Sequence, residues 1–316
     1  VNSYDDVLFY LYFSSWGGYE LTDKMFEMKC RRVFWNIEDP NHFQSFYSRA
    51  KYADLILTTA SECKRDYQML YPHLPVECLT WACEPALHSP REDDMKLRDR
   101  EFDIVFVGNR YPNCKEGGFN PRALGEQLVL YPAFEWAKKN NKKFGVWGSG
   151  DESQHSWRHM PYVWWDENGI SPYKANPFTG GWDRDPSYNG VYQESTSAFD
   201  VKKIYDRAKV VICLNEQMNS PTMCSMRTYE ASACGNVILS HWSLATELIF
   251  QHCPYVVRAP HETTELLGYI FDGDNIAQDA VQRAQRGMLN VFKNHTYTHR
   301  FGQIIEFLSY YYSGIS

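Results

Sequence analysis

Three ionisable residues stand close together in the stretch NIEDPNH: Glu38, Asp39 and His42. They follow the apolar run RVFWNI (Arg32–Ile37), which reads as a β-strand, so they fall at its carboxyl end, where α/β proteins bind ligands. A carboxylate there could act as a general base towards a hydroxyl, or stabilise positive charge on a sugar ring. Histidine titrates near neutral pH and is a further candidate. The plainer alternative is a turn, since Asp-Pro is a common stop and Asp39 could cap the helix that follows. His42 could equally be an inert residue of that helix.

A second constellation lies in NSPTMCSMRTYEASACG, Asn219–Gly235. Asn219, Ser220 and Thr222 are N-cap types and Pro221 suits a first turn, so a helix is expected to begin near them and to stop at Gly235. An apolar run precedes it (Val210–Leu214, VVICL) and another follows (Val237–Leu239, VIL). Strand, loop, helix, strand is the order that puts unpaired amides and a positive helix end at the carboxyl edge of a parallel sheet. Arg227 adds a positive charge in the first turns, and Glu230 a carboxylate that could accept hydrogen bonds from a sugar diol. Together they outline a nucleotide-diphosphate site. A purely structural strand-loop-helix is the alternative from the residues alone.

Metal chemistry has weak support. Asp183 and Asp185 form a D-x-D, but within a Gly/Pro/Asn loop with no strand before it, which fits a solvated turn. His155/His159 and His295/His299 have helical i, i+4 spacing without the glutamate of H-E-x-x-H. No metal site and no cofactor are expected.

The elements that would position these residues alternate. Apolar runs at Val7–Phe13, Arg32–Ile37, Leu55–Thr58 and Val76–Trp81 read as strands, with short helices at Phe43–Ala53 and Ser61–Leu70 between them. A charged interval, Ser89–Glu101, marks a domain boundary before the clear strand Phe102–Val107. A helix over Arg122–Asn140 and a strand over Lys143–Trp147 follow, and then the periodicity stops. Residues 151–190 are rich in Trp, Tyr, Pro, Gly, Asn and Asp, and are expected to form an ordered, packed excursion. Later helices are expected at Ala198–Ala208, Ser243–Phe250, Thr263–Phe271, Ile276–Lys293 and Tyr297–Tyr312, with a strand at Tyr255–Arg258. The alternation predicts an α/β fold with parallel strands. Its parts would be a short first domain (1–100), a second domain (101–295), and a last helix (296–316) that could return to brace the first.

Composition agrees with a globular protein: 316 residues, 44% of them hydrophobic, are enough for a sizeable core. A net charge of -7, from 32 basic and 39 acidic residues, gives no electrostatic reason to expect a nucleic-acid partner. Aromatics reach 16%, with 22 Tyr and 10 Trp; such side chains line sugar-binding clefts, yet they are also ordinary core material. Nine cysteines with no C-x-x-C pair suit reduced thiols. No window is apolar enough for a membrane span, and the opening VNSYDDVLFYLYF lacks a basic lead, so a cytoplasmic location is expected.

Several blocks, in order along the chain, resemble the CgeB/YkvP-type (spore-maturation) branch of the group-1 glycosyltransferases. They are VFWNIEDPNHF (Val33–Phe43), ADLILTTASEC (Ala53–Cys63), FVGN (Phe106–Asn109), KKIYDRAKVVICLNE (Lys202–Glu216), SPTMCSMRTYEASACGNVILS (Ser220–Ser240) and NHTYTHR (Asn294–Arg300). The resemblance implies a GT-B architecture, two Rossmann-like domains facing across a cleft, with a nucleotide sugar held mainly by the second. By position, Gly108 and Asn109 would lie near the donor diphosphate and Gly148 near the nucleotide. Tyr192 and Gln193 could face the base. Ser225, Met226 and Arg227 would cradle phosphate, and Glu230 would hold the ribose hydroxyls. The implied activity is metal-independent transfer from a nucleotide diphosphate sugar, UDP-linked as first choice, to an unknown acceptor (glycan, protein or small molecule), with retention by analogy.

Two features depart from that pattern. Many group-1 transferases carry a further glutamate eight residues before the ribose-binding one, and Thr222 stands there in this chain. The first domain is also short and the 151–190 excursion long. Both features leave room for a non-catalytic binding protein on the same fold. A nucleotide-sugar epimerase is the third possibility.

Overall fold

The computed structural model describes residues 8–14, 29–91, 96–108, 121–148, 200–273 and 275–312, with three two-residue strands inside 165–193. Four parallel strands make the first sheet, in the order β1 (Phe9–Phe13), β2 (Arg31–Asn36), β3 (Leu55–Thr58) and β4 (Val76–Cys78). Both faces of it are covered, as parallel strands require, so β3 reads as an unbroken apolar run, LILT, buried at every position. Successive side chains then serve opposite layers. Phe34 and Ile56 pack under Phe46, Ala50 and Tyr67, whereas Val33, Trp35, Leu55 and Leu57 face the other way.

That second layer comes from the far end of the chain. Ile304 and Leu308, on the helix Tyr297–Tyr312, close the face made by Val33, Trp35, Leu55 and Leu57. Burying each such side chain contributes roughly 1.5–3 kcal/mol. Where the chain crosses back, Cys83 forms a parallel bridge with Thr296, its N–H donating to His295 O at 2.9 Å and its carbonyl accepting from Tyr297 N at 3.0 Å. Arg300, only 4% exposed, donates to the carbonyls of Thr80 (2.8 Å), Trp81 (2.9 Å) and Asn294 (3.2 Å).

The second sheet holds six parallel strands. After β5 (Phe102–Val107) and β6 (Phe144–Trp147) come a small antiparallel pair, β7 (Trp165–Asp166) and β8 (Gly169–Ile170), and then β9 (Tyr192–Gln193). Three more follow: β10 (Ala208–Cys213), β11 (Val237–His241) and β12 (Tyr255–Val257). The order is β12-β11-β10-β5-β6-β9. The chain leaves β5 to one side for β6 and later returns to its other side as β10, so the crevice beyond β5 and β10 is a topological switch point. One face of the sheet packs Ile104, Phe106, Val210, Ile212 and Leu239 against Val129, Leu130, Phe134 and Leu267. The other packs Val105, Val107, Val211 and Ile238 against Ile204, Tyr205, Ala231 and Cys234.

Three expectations need correction. Residues Phe43–Ala53 form one α-turn, Phe43–Phe46, followed by a tighter 3-10 stretch, Tyr47–Tyr52, and not a single helix. The helix over 122–140 carries a π segment, Glu126–Leu130, between α-helical ends at Pro121–Gly125 and Tyr131–Lys139. Third, the helix expected from about Asn219 begins at Met226. Ser220 does cap a single turn, its Oγ accepting from Met223 N at 3.0 Å, but the turn does not propagate. Ser220 Oγ donates onward to Glu62 (3.0 Å), and Thr222 Oγ1 accepts from Ser61 N (2.8 Å) and donates to Thr59 O (2.9 Å). These hydroxyls join the two domains and do not start the helix.

Candidate functional site

Where the two sheets face each other, the carboxyl ends of β2, β5, β6 and β10 surround a cleft of about 320 Å³. Its floor includes the start of the helix Met226–Ala233, where the amides of Met226 and Arg227 precede the helical ladder and Thr228 N donates to Ser225 O at 3.0 Å. Ser225 lies at the N-cap, its own N–H donating to Asn215 Oδ1 at 3.0 Å. At the other end the helix stops as Gly235 predicts. Gly235, at φ +70, donates to Ser232 O (2.9 Å) and Asn236 N to Ala231 O (3.2 Å), the paired bonds of a Schellman motif.

Arg227 lines the cleft and is 30% exposed, while Glu230, one turn on, is 8% exposed and absent from the lining. Arg227 Nη1 donates to Glu230 Oε2 at 2.9 Å. Glu230 Oε1 lies 3.9 Å from Nε2 of His88, a buried imidazole whose pKa is lowered by burial. In this structure Glu230 therefore acts behind Arg227, fixing the guanidinium, and its carboxylate is not open to a diol in the cleft.

Glu38 lines the cleft from the first domain. Its pKa is raised, mainly by burial, with His42 opposing and Glu216 adding to the shift. His42 is close enough to act on Glu38 but is not among the lining residues. Asp39 is a correction. Its side chain is fully buried inside the first domain, where Asn36 Nδ2 donates to Oδ1 (2.5 Å) and Thr58 Oγ1 to Oδ2 (2.6 Å). Burial pushes its pKa up to about 7. A carboxylate sealed from solvent and absent from the cleft lining positions the loop and touches no ligand there.

Gly108 and Gly148 both lie on the cleft wall, at the ends of β5 and β6. A Cβ on Gly108 would stand 2.6 Å from Arg122 Nη2, so a larger residue there would make that guanidinium shift. Asn109 lies outside the described residues. Tyr192 and Gln193 form β9, pairing with Val146 and Trp147 of β6, which brings their backbone to the cleft side of the sheet; their side chains lie outside the described residues. Of the weak metal candidates, His155, His159, Asp183 and Asp185 also lie outside them. His295 Nδ1 faces Arg300 Nη2 (2.9 Å) and His299 Nδ1 faces Thr296 Oγ1 (2.6 Å), so each ring is already engaged.

Two charged lining residues escape the sequence reading: Arg122 and Glu216, paired with each other at 2.9 Å. Glu216 also accepts from Asn41 Nδ2 of the first domain at 2.7 Å. Its signal was the one that marks Glu38, a carboxylate just past the end of an apolar strand. Arg122 carries no comparable signal, because its approach depends on a glycine 14 positions away in β5's exit.

Two Rossmann-like domains with parallel sheets, facing across a cleft floored by a helix start, define a GT-B glycosyltransferase fold. The chain belongs to the glycosyl transferase-like family, whose model matches residues 129–306, more than half of it. The fold is similar to that of sucrose-phosphate synthase from Thermosynechococcus elongatus (TM-score 0.55, 10% identity, 97% of this chain and 74% of that one). It is also similar to S. aureus TarM, solved with fondaparinux, alpha-GlcNAc-glycerol and UDP (0.54, 10%, 90% and 52%). A third similar structure is that of accessory secretory protein 1, 2 and 3 in Streptococcus pneumoniae (0.52, 12%, 95% and 53%). The chain thus spans about half the length of two of these proteins, and at such identities the likeness shows the fold alone. No curated protein matches the sequence. Among the described residues no helix is long and apolar enough to cross a membrane.

Proposed function

We propose that this protein transfers a sugar from a nucleotide diphosphate sugar, with uridine as the base, to an acceptor nucleophile, and that it belongs to the CgeB/YkvP-type branch whose sequence blocks it carries. The observation that carries the reading is the cleft itself: a helix start and the anchored guanidinium of Arg227 at the switch point of a parallel sheet. In this reading Met226 and Arg227 hold the diphosphate. As the sugar–phosphate bond breaks, negative charge grows on the leaving diphosphate, and a fixed guanidinium with helix-start amides stabilises that charge more than the ground state. The positive charge needed is supplied by the protein, so transfer is metal-independent. Retention at the anomeric carbon is carried over from the family resemblance.

Glu38 is the acid–base candidate on the acceptor side. It faces the cleft from the opposite domain and burial keeps its proton affinity above that of an ordinary glutamate. A second reading, a binding protein without turnover, draws on Asp39 being turned inward and Thr222 being tied to the first domain.

Calorimetric titration with UDP, GDP, ADP and TDP in EDTA, and then with magnesium or manganese, tests the donor site. Metal-independent binding of UDP that falls by roughly 10- to 100-fold in Arg227→Ala, the range for lost hydrogen bonds between charged groups, is the expected result. Binding by none of the four would sink it. Binding of UDP without hydrolysis or transfer of UDP-sugars would favour the second reading.

A further inference from the structure

The described lining of the cleft contains four charged side chains, Arg227, Arg122, Glu216 and Glu38. Arg227 is taken up in the donor-site reading as the diphosphate anchor. Glu216 stands elsewhere in the loop after β10, and its carboxylate is held from two sides. Arg122 donates to Oε1 at 2.9 Å, and Asn41, reaching over from the first domain, donates to Oε2 at 2.7 Å. Gln217 donates in turn to Asn41 Oδ1. Each carboxylate oxygen has two lone-pair directions, so both keep one to offer. Of the ion pair, Glu216 is the more open member, 29% exposed against 13% for Arg122.

An ionised carboxylate only accepts hydrogen bonds, so whatever docks on Glu216 must bring O–H or N–H donors. Phosphate oxygens cannot serve, and would be repelled. A polyhydroxylated sugar can. Arg122 and Glu216 neutralise each other, so the pair offers no surplus positive charge to hold a second anionic group on the sugar. Three other polar side chains of this loop are taken up by the first domain: Gln217 by Asn41, Ser220 by Glu62, and Thr222 by Ser61 and Thr59. We infer that Glu216, set by Arg122 and Asn41, is a specificity-determining residue that binds the hydroxyls of the transferred sugar, and that this sugar is uncharged and polyhydroxylated. The inference rests on the donor-site reading above. Because Asn41 belongs to the first domain, the sugar subsite is complete only with both domains in place.

Titrations of wild type, Glu216→Gln and Asn41→Ala with UDP, UDP-glucose and UDP-glucuronate separate the possibilities. Glu216→Gln is expected to leave UDP affinity within about twofold and to weaken UDP-glucose about tenfold or more, the loss of charge-assisted hydrogen bonds. Wild type is expected to prefer UDP-glucose to UDP-glucuronate, and the variant to lose that preference. Asn41→Ala, which changes no charge, should weaken UDP-glucose severalfold with UDP unaffected, and carries the same comparison if Glu216→Gln does not fold. Equal losses for UDP and UDP-glucose, no loss for either, or a wild-type preference for UDP-glucuronate would each overturn the sugar-reading role while the donor site stands. Failure of wild type to bind UDP at all would overturn the donor-site reading, and this one with it.

Discussion

Arg227 and Glu230 lie one helical turn apart, guanidinium towards the cleft and carboxylate beneath it, joined at 2.9 Å. The carboxylate is nearly buried at 8% exposure, the guanidinium at 30% is not, so the pair presents positive charge outward on a fixed stem. An i, i+3 ion pair on an exposed helix is worth only a few tenths of a kcal/mol. Its value here is orientation: an arginine that pays no ordering cost on binding holds an anion more tightly.

Glu230→Gln should therefore act through Arg227. Nucleotide affinity is expected to drop roughly tenfold, with a stability loss of about 1–2 kcal/mol from a buried acceptor that has lost its charge. Calorimetry and urea unfolding on the same samples check both. Unchanged affinity would mean that Arg227 needs no support.

The pH dependence of turnover should carry Glu38. Its pKa is raised by burial, so as a base it is ionised only above the usual glutamate range, and the rate should rise with pH through that shifted value. Glu38→Gln is expected to lower kcat by about 100-fold or more and to abolish that acidic limb, with KM for the donor little changed. A pH–rate profile in the variant that keeps the limb would clear Glu38 of the role.

Asp39 has the opposite signature, in stability and not in rate. Its pKa is raised from an ordinary aspartate value to about 7 by burial. A raised folded-state value means that its contribution is full below about pH 4 and is lost as pH rises towards about 7, by a few kcal/mol at most. Asp39→Asn should flatten that window. Urea midpoints at several pH values, compared between the two proteins, test this; parallel curves would show that Asp39 does not titrate as proposed.

Gly108→Ala places a methyl group 2.6 Å from Arg122 Nη2, so the guanidinium must shift, which disturbs its Nη1 bond to Glu216. The expected outcome is a loss of UDP-glucose binding exceeding the loss of stability, since Arg122 can swing towards the cleft. A melting temperature within a few degrees of wild type, with weakened binding, fits this account. Full binding in the variant contradicts it.

Arg300→Ala removes a buried cation that ties the last helix to Thr80, Trp81 and Asn294. Six hydrogen bonds of the guanidinium are lost and three carbonyls are stranded, so a loss of roughly 3 kcal/mol or more is expected. Limited proteolysis should then release the segment after residue 295. Protection equal to wild type would indicate that Ile304 and Leu308 hold the helix unaided.

Much of the architecture is legible in local pattern. Strands β3 and β5 coincide with the runs LILT and FDIVFV because a parallel strand buried on both faces has to be apolar throughout. The helix Tyr297–Tyr312 shows its period, and Gly235 its positive φ, in residue type alone. Strand β9 does not show, since two residues in an aperiodic stretch have no pattern, and its pairing to β6 is supplied by the sheet edge. The helix start misleads because Ser220 and Thr222 have capping chemistry that is spent instead on Glu62, Ser61 and Thr59.

The sequence by itself determined the class: alternating elements, the order of two Rossmann-like halves, the loop after β10 and the basic helix start, all set by periodicity and by residues near one another in the chain. Only the tertiary structure decided which side chains meet in the cleft. Adjacent residues Glu38 and Asp39 part there, one lining it and the other sealed among Asn36 and Thr58, because neighbouring side chains leave a backbone in different directions. Asn41 and Glu216, 175 positions apart, come within 2.7 Å. Hydrogen bonds are short and directional, so such a contact exists only once both domains have folded and closed on each other, and no local pattern records it.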